Sequence, residues 1–255
     1  MPVPFQPNNS THTNRPNPDR TTRTRALSAL RTYLSQAKTL TLPECLKLWK
    51  GLYYCMWLQD KPRNQQQLAR DLAELLHVLK PDTFITFATA FWQTIAREWD
   101  GIDALRMDKY LYLVRCYVQE GFQYVRRKGW AEELLGEYLE VLEGVAFNVR
   151  DARIPNGLRY HVIDLYVDEL DKADVDDEAP VEKVLEPMRK LGKESLTKTV
   201  RKRVGEALED ERLVDWKGRR EIGEDDGEGE VDGERTDGVK GGAADENDDF
   251  GGFDD

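Results

Sequence analysis

The sequence predicts an all-α protein built of antiparallel helical hairpins stacked as a HEAT-like superhelix. Three observations carry this. Apolar residues recur at i, i+3, i+4 and i+7 through most of the chain, and hardly any segment alternates with period two for long enough to form a buried strand. The helical stretches pair through short turns at roughly 40-residue intervals, over 20–59, 63–99 and 103–147, the period of stacked helical repeats. One stretch, LWKGLYYCMWLQDKP from Leu48 to Pro62, places two Trp, two Tyr, one Met, one Cys and three Leu between Leu48 and Leu58. A helix so apolar around its circumference is expected to be buried on more than one side, with others packed about it.

Residues 1–19 contain five Pro and four Asn and read as a flexible arm. From Arg20 the pattern is helical, with Leu27, Leu30, Tyr33 and Leu34 in one stripe. Thr41 and Glu44 then form a capping-box-like start for the helix carrying the aromatic stretch, and Lys61-Pro62 ends it. Leu68, Leu72, Leu75, Leu76 and Leu79 make a third helix. Asp82 is the expected N-cap of a fourth, with Phe84, Phe87, Phe91, Ile95 and Trp99. Asp103 is the expected N-cap of a fifth, with Leu105, Tyr110, Leu113 and Tyr117, broken at Lys128-Gly129. Leu134, Leu135, Tyr138, Leu139 and Leu142 mark a sixth. Pro155 sits at the favourable first-turn position of a seventh, with Leu158, Val162, Leu165, Tyr166 and Leu170. This gives a core repeat domain over 20–171, an acidic linker over 172–179, two C-terminal helices over 180–216 and a Gly-rich acidic tail over 217–255, expected to be disordered.

The formal net charge of −11 is unevenly distributed. Residues 221–255 hold 15 acidic and two basic side chains, whereas residues 1–220 hold 33 acidic and 35 basic ones. The folded part is thus slightly basic. The three cysteines, Cys45, Cys55 and Cys116, lie in apolar helical patterns, which suits small buried hydrophobes in a reducing compartment. No run reaches the ~18 apolar residues of a membrane span, and the first residues have no signal-peptide apolar core, so a soluble intracellular protein is expected.

No catalytic constellation is present: no Gly-rich phosphate loop, G-x-S-x-G, C-x-x-C or H-E-x-x-H. His161, Asp164 and Asp168 share a helical face that would suit a divalent metal, but a solvated polar face explains them better. Asp100, Asp103 and Asp108 invite the same question, but Asp103 is better explained as an N-cap and Asp108-Lys109 as surface or inter-helix polar contacts. No cofactor, metal or catalytic residue is assigned. The informative charges are basic. Arg126, Arg127 and Lys128 lie together at a helix end. From Arg189 to Arg203 there are seven cations, Arg189, Lys190, Lys193, Lys198, Arg201, Lys202 and Arg203, against Glu194 alone. Such a surface provides phosphate contacts, or docks an acidic partner, and the acidic tail downstream offers a screen for it. Trp216, in polar surroundings, either packs back on the domain or docks on a partner. It joins these cations as a candidate contact residue.

Several stretches together resemble one family. KLWKGLYYCMWLQDKP from Lys47 to Pro62, WDGIDALRMDKYLYLVR from Trp99 to Arg115 and PNGLRYHVIDLYVDEL from Pro155 to Leu170 resemble, in order, the signatures of the ribosomal RNA processing protein 1 family. TRTRALSALRTYL from Thr22 to Leu34 is similar to its first helix. The resemblance covers about residues 20–171. It implies a non-enzymatic nucleolar scaffold in assembly of the large ribosomal subunit precursor, needed for pre-rRNA processing. The implied partners are other assembly factors including Brix-domain proteins, the pre-60S particle and pre-rRNA. Two departures stand out. The lead-in before Thr21 is rich in Pro and Asn, and the chain ends acidic where many relatives carry Lys-rich extensions, which shifts weight from RNA toward protein docking. The competing reading is a helical-repeat adaptor that binds peptides elsewhere in the cell.

Overall fold

The structure, a computed structural model, describes residues 18–37 and 39–216. Residues 1–17 of the N-terminal arm and the whole acidic tail, with its screening role, lie outside the described residues. The elements run α1 (Pro18–Gln36), α2 (Leu42–Trp57), α3 (Pro62–Ala73), α4 (Pro81–Glu98), α5 (Ala104–Arg126), α6 (Glu132–Gly144), α7 (Asn156–Ala173), α8 (Val181–Glu194) and α9 (Lys198–Leu208). Short 3₁₀ turns follow α3, α4 and α9, and no strand occurs among the described residues. The helices pack in two layers. α2, α4, α6 and α8 are successive neighbours in one, and α3, α5, α7 and α9 in the other. α1 touches the 3₁₀ turn that continues α3. This is the all-α helical-repeat stack that the periodicity predicts.

The helix starts follow local chemistry. At α2 the Glu44 carboxylate accepts from the Thr41 backbone N–H at 2.9 Å and from its hydroxyl at 2.7 Å. At α5 the Asp103 carboxylate accepts from the Arg106 N–H at 3.1 Å, so Asp103 is the N-cap expected. Two starts shift by one or two residues. Lys80, not Asp82, caps α4, because Pro81 already supplies the first helical residue. Pro155 is the cap of α7 rather than its first residue.

Aromatic rings fill the space between the layers. Trp49 lies 5.1 Å from Phe87, 4.8 Å from Phe91 and 5.4 Å from Tyr117, ring centre to ring centre. Its indole N–H donates to the Phe87 carbonyl at 3.1 Å. Phe91 stacks on Tyr117 at 3.6 Å, and Phe84 on Tyr124 at 3.9 Å.

The aromatic helix α2 departs from expectation. It buries Cys45, Trp49, Leu52, Tyr53 and Met56, but leaves Leu48 half-buried and Tyr54, Cys55 and Leu58 exposed. The reason is position: α2 is the first helix of its layer, so α4 covers one side and, among the described residues, no layer neighbour covers the other. Trp57 is likewise only half-buried. It sits under the Arg106 guanidinium at 4.6 Å, and Lys109 closes the helix end by donating to the carbonyls of Trp57 and Gln59 at 2.7 and 2.8 Å.

At the other end, α8 packs on α6 and α9 on α7, so the last two helices continue the stack. The acidic segment before them is pinned. Asp174 is buried and accepts backbone N–H bonds from Glu178 and Ala179.

Candidate binding surfaces

The predicted basic stretch resolves into residues with different roles. On α8, Arg189 pairs with Glu182, and Lys190 reaches Glu143 of α6 at 2.7 Å. These pairs hold the Arg189 guanidinium and the Lys190 ammonium above their ordinary pKa, the hydrogen bond to the carboxylate being the main cause. On α9, Arg201 donates to the Ser195 carbonyl at 2.7 Å and Lys202 pairs with Glu206 at 3.1 Å. Arg203 pairs with Asp164 of α7 at 2.9 Å and lies over the Tyr160 ring at 5.0 Å. Much of the positive charge read from the sequence therefore closes contacts within the stack. Lys193 and Lys198 are exposed and make no ion pair among the described residues.

The α5 end divides in the same way. Arg126 pairs with Asp176 of the acidic segment, while Arg127 and Lys128 are exposed. The chain reverses there through Gly129 and Trp130, both at positive φ (64° and 52°). The two clusters lie on different elements.

Trp216 is buried, and its indole N–H donates to Asp174 at 2.7 Å. It packs back on the domain. Its neighbour Arg212 holds Asp168 at 2.7 Å and Asp171 at 3.3 Å on α7, as well as Asp210.

The His161, Asp164 and Asp168 face is engaged in other contacts, and Asp103 of the second face caps α5. His161 donates through Nε2 to the Leu111 carbonyl at 2.8 Å, and burial lowers its pKa. Asp164 and Asp168 hold the arginines just named. Among the described residues no group of three or more His, Cys, Asp and Glu side chains is arranged to hold a metal, and no helix is long and apolar enough to cross a membrane.

Sequence reasoning missed two polar anchors. Arg159, buried on α7, gathers the loop after α6 by donating to the carbonyls of Asn148, Asp151 and Ile154 and to the Asn156 side chain. Glu169, also buried, is held by Arg115 at 2.9 Å and Lys172 at 2.8 Å. It also missed a groove of about 620 Å³ between α1, α2 and α3. The exposed apolar residues Cys55 and Leu58 were the signal, but a helix predicted to be buried all round hid it.

Fold and surfaces together define a helical-repeat protein whose candidate sites are faces and grooves. The family model described as "Nucleolar protein, Nop52" matches residues 16–249, so the chain belongs to the Nop52 family of nucleolar proteins. It is 43% identical over 156 residues to human ribosomal RNA processing protein 1 homolog B, covering 59% of this chain and 20% of that protein. It is 42% identical over 160 residues to the mouse homolog A, covering 60% and 32%. The Drosophila melanogaster homolog is 32% identical over 130 residues, covering 50% and 19%. The chain thus spans about a fifth to a third of the length of these relatives. The family and its nucleolar setting agree with the sequence resemblance.

Proposed function

We propose that this chain is a scaffold in nucleolar assembly of the large ribosomal subunit, needed for pre-rRNA processing and acting without catalysis of its own. The observation that carries the reading is membership of the Nop52 family over residues 16–249, together with relatives named for ribosomal RNA processing. The two-layer stack suits the role, since its faces offer extended docking area. Partners in this reading are other large-subunit assembly factors, including Brix-domain proteins, within the pre-60S particle. Contact with pre-rRNA falls to the exposed cations that make no ion pair among the described residues: Arg127 and Lys128 beyond α5, the latter over the Tyr124 ring at 6.0 Å, and Lys193 and Lys198 on α8 and α9. The paired members of the basic stretch, Arg126, Arg189, Lys190, Arg201, Lys202 and Arg203, play a supporting part there. The repeat unit extends in this reading from α1, which begins at Pro18 and so takes in the last two residues of the expected arm, through the C-terminal helices to 216.

The test is depletion of the protein with rescue by a tagged full-length chain. The expected outcome is co-sedimentation of the tagged chain with pre-60S particles and accumulation of unprocessed large-subunit pre-rRNA on depletion. Cytoplasmic localisation with normal pre-rRNA would overturn the reading in favour of a peptide-binding adaptor.

A further inference from the structure

The positive charge of the described stack gathers where the sequence reading did not place it. Between residues 22 and 80 the chain has ten basic and four acidic side chains, a net +6, whereas residues 81–216 have 20 basic and 28 acidic ones, a net −8. The positive end of the repeat is also the end where the apolar groove opens. α1 is held at its C-terminal half, where Leu34 is buried and Arg31 pairs with Glu74 at 2.5 Å. Its N-terminal half, Thr22 to Leu30, forms one wall. Leu27, Leu30, Leu52, Leu58, Leu68 and Leu72 supply the aliphatic lining, with the exposed Cys55 among them. Leu58 is 73% exposed. Arg23 and Lys61 stand on the rim, and Arg63 stands on an adjoining depression that shares Arg23, Leu27 and Asn64. These three cations make no ion pair among the described residues, and Asp60 is the one carboxylate on the groove lining.

We propose that this groove is the docking site for an acidic amphipathic helix of a protein partner. The aliphatic face of that helix lies between α1, α2 and α3, and its carboxylates lie against Arg23, Lys61 and Arg63. The site differs from the basic stretch of α8 and α9, so the inference stands whether or not that stretch contacts RNA.

Three features select this occupant. The walls are helices, so there is no strand edge to extend, and the apolar floor suits a helix-in-groove complex with anchors at i, i+3 or i+4, and i+7. The α1 wall, at 1.5 Å per residue, is about 12 Å long, and such anchors span about 10 Å. The cationic rim and the net charge of this end favour a negative partner, in encounter rate and in register. Nucleic acid fits less well. Base recognition on a single strand uses aromatic platforms, and the lining has aliphatic side chains but no ring.

The test uses the full chain against a displayed library of randomised 16-residue helical peptides. Expected binders have a net negative charge and aliphatic residues at i, i+3 or i+4, and i+7. They slow alkylation of Cys55, the exposed cysteine of the three, at least ~10-fold. Leu58→Asp, and separately the pair Lys61→Glu and Arg63→Glu, weaken them at least ~10-fold, while Leu105→Asp, at a side chain 94% exposed on α5, does not. Unchanged thermal unfolding of each variant establishes that the groove, and not the fold, was altered. Failure to enrich any peptide, enrichment of basic ones, equal binding to Leu58→Asp, or an unprotected Cys55 overturns the proposal. Protection of Cys55 by a single-stranded RNA oligonucleotide that Lys61→Glu abolishes would make the groove a nucleic-acid site instead.

Discussion

The Trp216 indole donates a 2.7 Å hydrogen bond to Asp174, 42 residues earlier in the chain, and both side chains are buried. Asp174 also accepts from the N–H groups of Glu178 and Ala179, at 3.1 and 3.0 Å. One carboxylate thus ties the segment after α7 into a fixed turn and fastens the residues after α9 to it.

Removing the ring and removing the hydrogen bond are separable. Trp216→Ala opens a cavity and is expected to cost about 3–5 kcal/mol. Trp216→Phe keeps most of the volume but takes a donor from a buried carboxylate, for about 1–3 kcal/mol. The shift in urea midpoint at constant slope measures both. If Trp216→Ala left the midpoint unchanged, the ring would not be part of the fold.

How much of this was legible in the sequence depended on what each signal reports. Helix periodicity reports which residues face inward, and it placed the helices and most of the core. It does not report how many neighbours a helix has, so α2 read as central although it ends its layer. Charge runs report composition, not partners. The Arg189–Arg203 run read as one surface, yet Arg203 reaches Asp164 and Lys190 reaches Glu143 across the packing of separate helices. Asp174 read as part of a linker because acidic side chains are almost always solvated. Only its three donors, one of them distant in sequence, explain its burial.

Alkaline pH should unfold the protein through its tyrosines. Burial raises Tyr124 from 10.0 to about 12, and it also raises Tyr110, Tyr117, Tyr138 and Tyr166. A folded-state pKa above the unfolded one means that the native state retains protons that the unfolded chain releases. Stability is therefore full below pH ~10 and falls as pH rises toward 12. Denaturant midpoints between pH 9 and 12 should decline progressively, and tyrosinate absorbance of these groups should appear together with loss of helical circular dichroism. Ionisation completed by pH ~10.5 with helicity intact would contradict their burial.

Gly121 and Tyr138 meet where α5 faces α6. A Cβ added at Gly121 would fall 2.1 Å from the Tyr138 hydroxyl and 2.6 Å from its ring carbon Cζ. That hydroxyl is buried without a hydrogen-bond partner among the described residues. Gly121→Ala is expected to destabilise by about 1–3 kcal/mol through overpacking. Tyr138→Phe loses no hydrogen bond and should be neutral or stabilising. The double variant should recover part of the Gly121→Ala loss, since the ring still crowds the added methyl. The coupling energy from a double-mutant cycle is the measurement, and additive effects would place the two side chains out of contact.

The basic residues divide into two groups that charge reversal separates. Arg203→Glu sets a carboxylate against Asp164 and removes a cation from the Tyr160 ring. The pair is part-exposed, so the expected loss is about 1 kcal/mol, visible in thermal unfolding. Lys193→Glu and Lys198→Glu lie at exposed positions without an ion pair among the described residues, and their stability should stay within about 0.5 kcal/mol of the parent. Lys198→Glu at the first residue of α9 complements the helix dipole and should gain a few tenths. If Arg127, Lys128, Lys193 and Lys198 contact phosphates, reversing each should weaken RNA binding. Each lost contact should also flatten the slope of log affinity against log salt by about 0.7–0.9. Filter binding of pre-rRNA fragments between 50 and 200 mM salt measures that slope. A slope that changes for Arg203→Glu but not for the exposed set would reverse the assignment, and would mean that the α7–α9 pair opens to admit RNA.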